Sequence, residues 1–235
     1  IALTVTAVAL AGGQLALHAR AANHRQDFII RDYGAAILES LPRDALVLMR
    51  GDLTTNSARY LQTVEHLRPD LRLLDQEMLT AVWMTPQVKR QMADITVPGT
   101  HYGIREPGAY TVRELVDANI TRRPIVVCGG TKPGDPSLEG VYRLLPDGWC
   151  DRVVPIGAPT EMGQSLGPAD AVPSRFRNDM RRTPPPDSWE HVAWVEYWAM
   201  SHRSALRLLT LGMEQHDDPA LLRAAASGFS RLLAD

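Results

Sequence analysis

The sequence predicts an α/β fold: a short parallel sheet with an antiparallel hairpin on its edge, followed by a helical hairpin. Two observations carry this expectation. Three short apolar runs, "ALVLM" (45–49), "LRLLD" (71–75) and "PIVVC" (124–128), are separated by segments of helical periodicity. That alternation builds a right-handed parallel sheet. Later in the chain, two apolar-rich segments each open on a capping signal, as a pair of packed helices would.

The elements follow in order. The first 19 residues, "IALTVTAVALAGGQLALHA", hold no Asp, Glu, Lys or Arg. The run is about long enough to cross a bilayer, although Gly12, Gly13 and Gln14 weaken it. Three readings stand: residues 1–22 as the end of a last transmembrane helix, a clipped signal peptide with Ala19-Arg20-Ala21 as its cleavage site, or a buried helix. Arg20 and Arg25 favour a cytoplasmic flank by the positive-inside rule, on two charges only.

A Rossmann-like α/β domain is expected over 23–156. Ile29, Ile30, Tyr33, Ile37, Leu38 and Leu41 recur at helical spacing, so 28–41 reads as an amphipathic helix ended by Pro42. After the strand at 45–49, "TNSARYLQTVEHL" (55–67) is the next helix. Thr55, Asn56 or Ser57 could cap it. "MLTAVWMTPQVKRQM" is helical but interrupted by Pro86, which predicts two short helices. Thr111 and Glu114 form a capping box that opens a helix to about Asn119. "VYRLL", "PDG" and "WCDRVVPI" read as the edge hairpin. Residues 157–187 are rich in Gly and Pro and read as a linker or a surface strap. A helical hairpin is expected over 188–235, its first helix capped by Asp187 with Glu190 at N3, its second opened by Asp218-Pro219. Trp189, Trp194, Tyr197 and Trp198 fall on more than one face of the first helix, so something must cover it.

The chain has 235 residues, is 45% hydrophobic and 22% charged, and carries a net charge of −2. That is the balance of an ordinary globular protein. Without a basic run it does not fit a nucleic-acid partner.

The loops after the three strands gather the chemistry: Arg50-Gly51-Asp52-Leu53-Thr54, Asp75-Gln76-Glu77-Met78 and Cys128-Gly129-Gly130-Thr131. In open α/β sheets ligands sit beyond the carboxyl ends of the strands. Arg50, Asp52, Asn56, Asp75 and Glu77 are therefore the candidate ligand-binding residues. Capping competes with this reading: Asp52 and Asn56 would cap one helix, and Asp75 and Glu77 the next turn. Arg50-Gly51-Asp52 falls in a tight corner and does not read as an adhesion tripeptide. There is no GxGxxG, P-loop or G-x-S-x-G. The seven His show no metal-ligand spacing, so no metal site is expected. No nucleophile–base set suggests a self-sufficient hydrolase. Cys128 and Cys150 would be two buried thiols in the cytosol; outside it, a disulfide closing a loop of about 22 residues would stabilise by about 3 kcal/mol. Asn119-Ile120-Thr121 matches a glycosylation sequon, but its place near a helix end makes it idle.

Longer stretches carry a resemblance. "ESLPRDALVLMRGDL", "YLQTVEHLRPDLRLLDQEM" and "WCDRVVP", together with "VPG", "GDPS" and "SWEHVAWVEYW", resemble the C-terminal part of the multi-spanning protein O-mannosyltransferases that modify IPT domains in animals, and their bacterial relatives. The similarity runs from about residue 24 to 205. It implies a membrane glycosyltransferase of GT-C type whose catalytic loops lie in an N-terminal membrane module and use a polyprenyl-phosphate sugar donor. On this reading residues 1–19 are the end of the last membrane helix. The rest is a soluble, non-cytoplasmic domain, in a bacterial periplasm or the ER lumen, that continues into TPR-like hairpins. It implies no catalytic residue in this chain. It pairs Cys128 with Cys150, and it makes the domain's partners an acceptor protein or glycan and its own membrane module. The rival expectation is a non-enzymatic protein-interaction domain.

Overall fold

The computed structural model describes residues 2–19, 23, 25–158, 176–214 and 218–234. Helix α1 spans Ala2–His18. Then come α2 (Ile29–Ser40), β1 (Leu46–Met49), α3 (Asp52–Val64) and β2 (Arg72–Asp75). A 3₁₀ turn (Met78–Thr80), α4 (Met84–Gln91), β3 (His101–Tyr102), β4 (Ala109–Tyr110) and α5 (Val112–Asp117) follow. β5 (Ile125–Cys128), β6 (Tyr142–Asp147) and β7 (Cys150–Pro155) complete the sheet. The last two helices are α6 (Trp189–Glu214) and α7 (Pro219–Ala234).

The main sheet has the order β2-β1-β5-β7-β6. β1 pairs in parallel with both β2 and β5, and β7 runs antiparallel to β5 and β6. The three apolar runs are thus parallel neighbours ending at one edge, with the hairpin beside them, as expected. Side chains alternate across the sheet with period two. Val47, Met49, Leu73, Val126 and Cys128 face one core with α2, α3 and α6. Leu46, Leu48, Leu74, Ile125 and Val127 face a second core with α4 and α5. Gly34 lets α2 lie close on α3, since a Cβ there would sit 2.9 Å from Leu61 Cδ1 and Ser57.

Sequence cues and structure part company in places. α3 begins at Asp52, ahead of the expected cap residues; its N-cap is Gly51, and no side chain caps it. Thr55 and Ser57 are buried inside the helix instead, and Ser57 Oγ donates to Leu53 O. Pro86 does mark two short helices, but the break precedes it, and the ring sits in the first turn of α4, where no amide partner is lost. α6 is capped by Ser188, whose Oγ accepts from the His191 amide at 3.1 Å, not by Asp187. Asp218 does cap α7, accepting from Ala220 N at 2.8 Å. The β3–β4 pair, two residues each, was not foreseen. Asn119 is fully buried and its amide donates to Thr96 O and Leu115 O, so the sequon has no free nitrogen.

Among the described residues no helix is long and apolar enough to cross a membrane. α1 has 17 residues, or about 26 Å at 1.5 Å per residue, so the expected span is not confirmed. Arg20, Ala21, His24 and His216, and the linker residues 159–175, lie outside the described residues. The described part of the strap, from Phe176, is tied to α2. The Arg177 guanidinium and amide both bond the buried Asp32 carboxylate, and the guanidinium stacks 3.6 Å from the Phe28 ring.

Candidate functional site

The ends of β1, β2 and β5 are laced together before any ligand is considered. Arg50 N donates to Cys128 O, and Gln76 N to Met49 O, each at 2.9 Å. Buried Gln76 reaches across with Nε2 to Gly130 O at 2.9 Å. Gly129 has φ +82°, and a Cβ on it would lie 2.3 Å from Arg50 O, so this loop can close only over glycine. Directly beneath, Cys128 and Cys150 form a disulfide with Cα atoms 4.5 Å apart, which ties the end of β5 to the start of β7.

Above these loops lies an open cleft of about 450 Å³. One wall is Arg50, Gly51, Asp52, Leu53, Thr54, Glu77 and Gly129. The other is α6, through Trp189, Val192, Glu196, Met200 and Arg203. Arg50 Nε meets Glu77 Oε1 at 3.3 Å on the floor. Thr54 is held from below by Tyr33, whose hydroxyl sits 3.0 Å from Thr54 Oγ1. Burial, opposed by that hydrogen bond, pushes the Tyr33 hydroxyl up to about 12.

Arg50, Asp52 and Glu77 are thus brought together. Asn56 lines a neighbouring groove of about 440 Å³, shared with Asp52, Ile30, Tyr60 and Trp189. Asp75 does not line either. Its Oδ1 accepts from the Glu77 and Met78 amides at 2.9 and 3.2 Å, so it serves the turn. Asp52 sits in the first turn of α3, where its charge favours the helix dipole. The wall from α6 was missed. Its signal was present: Trp189, Val192, Glu196, Met200 and Arg203 recur at spacings of 3, 4, 4 and 3, one stripe of a helix.

A smaller recess of about 210 Å³ continues past Gly129 to Trp149, Asp151, Ser204 and Arg207. Burial raises the Asp151 carboxyl, against the pull of Arg207, its ion-pair partner, and Arg203. Among the described residues no group of three or more His, Cys, Asp or Glu is placed to hold a metal ion.

An α/β domain with a strand-end cleft, walled on one side by the first helix of a helical hairpin, defines the class of protein. The chain matches the family model of TMEM260-associated domain 2 over residues 30–100. It is 31% identical over 195 residues to the protein O-mannosyl-transferase TMEM260 of Mus musculus, covering 80% of this chain and 27% of that protein. It is 28% identical over 223 residues to the protein O-mannosyl-transferase tmem260 of Dictyostelium discoideum, covering 92% of this chain and 27% of that protein. No solved structure matches. The chain is thus similar to TMEM260 proteins over most of its own length, and it spans about a quarter of the length of these relatives.

Proposed function

We propose that this chain is the acceptor-binding part of a membrane protein O-mannosyltransferase, which positions the acceptor while the rest of the protein transfers sugar from a polyprenyl-phosphate donor. The observation that carries the reading is the cleft of about 450 Å³ at the strand ends, with ionisable groups of both signs on facing walls. Ligands of open α/β sheets bind at that edge. The chain's partners are then an acceptor protein or glycan and its own membrane module. α1 supports membrane attachment: it holds no Asp, Glu, Lys or Arg, and Val5, Val8, Leu10, Leu15 and Leu17 are all more than 60% exposed. A helix apolar all round needs a covering phase. The disulfide supports a non-cytoplasmic location, since such bonds persist in oxidising compartments.

A second reading, a non-enzymatic interaction domain, draws on Val195, Leu206 and Met213, which leave exposed apolar surface on α6. Full-length enzyme carrying Arg203→Ala separates the two. The side chain is exposed, so melting should hold. Losing a charge-assisted contact of about 1.5–3 kcal/mol should raise acceptor KM by about ten- to hundred-fold with kcat little changed. An unchanged KM would sink the acceptor reading.

A further inference from the structure

We propose that the cleft holds one pyranose ring of a glycan, laid against the indole of Trp189, with its hydroxyls shared among Arg50, Asp52, Glu196 and Arg203. The proposal goes beyond acceptor binding, because it names the chemistry of what is bound and stands whether or not that sugar is part of the acceptor.

Trp189 is the starting point. It is 58% exposed and lines both the main cleft and the neighbouring groove. Trp is highly buried on average, and Trp194 and Trp198 on the same helix pack against the core. An indole face is electron-rich. One face of a pyranose presents C–H bonds of slight positive charge, so the two surfaces match in shape and sign.

The polar groups point the same way. Sugar hydroxyls donate and accept at once. A carboxylate only accepts and a guanidinium only donates, so a neutral polyhydroxyl ring is best satisfied by both. The cleft supplies both from facing walls: Arg50 and Asp52 from the strand-end loop, Glu196 and Arg203 from α6. A phosphate would be repelled by Asp52, Glu77 and Glu196. A volume of about 450 Å³ admits a ring with part of a second unit, within the ordinary range for small-ligand sites.

The test is titration of the 235-residue chain with methyl α-D-mannopyranoside by calorimetry, in a detergent without a sugar headgroup. A Kd of about 1–10 mM is expected for one ring. Trp189→Ala should weaken it by about ten-fold at an unchanged melting temperature, and Trp189→Phe, which keeps an aromatic face, should recover most of the loss. Asp52→Asn should weaken binding as well. No binding up to high millimolar sugar, or binding indifferent to Trp189→Ala, overturns the proposal. In either case the Arg203→Ala effect on acceptor KM still decides the acceptor reading. Sugar binding through Trp189 with an unchanged acceptor KM would keep this site and remove that reading.

Discussion

The two faces of the sheet are built differently. The face under α4 and α5 is mostly aliphatic, and its helices lie between the strands they cover: Leu79, Val88, Leu115 and Val116 pack on Leu46, Leu48, Leu74 and Val127. The face under α2, α3 and α6 is aromatic and assembled from far ends of the chain. Trp149, on the hairpin turn, meets Tyr33 at 5.6 Å, Phe176 at 5.6 Å and Tyr197 at 5.7 Å between ring centroids. The same face carries the disulfide and the Asp32–Arg177 pair, which joins residues 145 apart. All three recesses described above open beside it. One face folds a sheet, and the other draws distant segments together into a cleft.

Paired core substitutions test that division most severely. Trp149→Ala should cost about 3–5 kcal/mol and Leu115→Ala about 2–5 kcal/mol in chemical denaturation. Only Trp149→Ala should also weaken ligand binding, because its ring carries Tyr197 and the α6 wall. Equal loss of binding from Leu115→Ala would break the comparison.

Reduction of Cys128–Cys150 comes next. With the two cysteines 22 positions apart in sequence, the loss should be about 3 kcal/mol. Denaturation with and without reductant measures it, and the Gly129 side of the cleft should loosen in hydrogen exchange. Unaltered protection of Gly129 and Gly130 would show that the disulfide does not hold the cleft.

The smallest effect is a pH dependence. Arg68 holds the end of α2, donating to Leu38 O at 2.7 Å and Leu41 O at 2.8 Å, and pairs with Asp70. Its hydrogen bond to Asp70, opposed by burial and aided by the Asp44 amide, lowers that carboxyl to about 2. The folded value lies below the unfolded one, so the stabilisation is complete above about pH 4 and fades as pH falls towards 2. Asp70→Asn should flatten the acid limb of a melting-temperature profile between about pH 4 and 2. An unchanged acid limb would show the pair to be without effect.

Much of the fold was legible because its signals are local. Short apolar runs between periodic segments located β1, β2 and β5, and the Thr111–Glu114 capping box, present with both hydrogen bonds, placed α5. The disulfide followed from the family resemblance and not from spacing. β3 and β4 were hidden because two residues each leave no period to read. The start of α3 was misplaced because its N-cap is Gly51 at φ +96°, a residue without a side-chain signature. The candidate site was half legible. Arg50, Asp52 and Glu77 share an edge by topology alone. Trp189, Glu196 and Arg203 share a helical stripe that can be read from the sequence, but they reach the site only because α6 packs on α2, a long-range contact that the stripe alone does not specify. Asp75 looked equivalent to its neighbours until its carboxylate proved to be occupied by two amides.

The connection between α1 and α2 carries a last consequence. Ten residues separate His18 from Ile29. Fully extended, they reach at most about 36 Å. If α1 is held in a bilayer, this leash limits how far the start of α2 can stand from the membrane surface, and whatever the cleft binds is kept near that surface at high effective concentration. Lengthening the leash with flexible residues would lower that concentration without touching a single contact in the cleft.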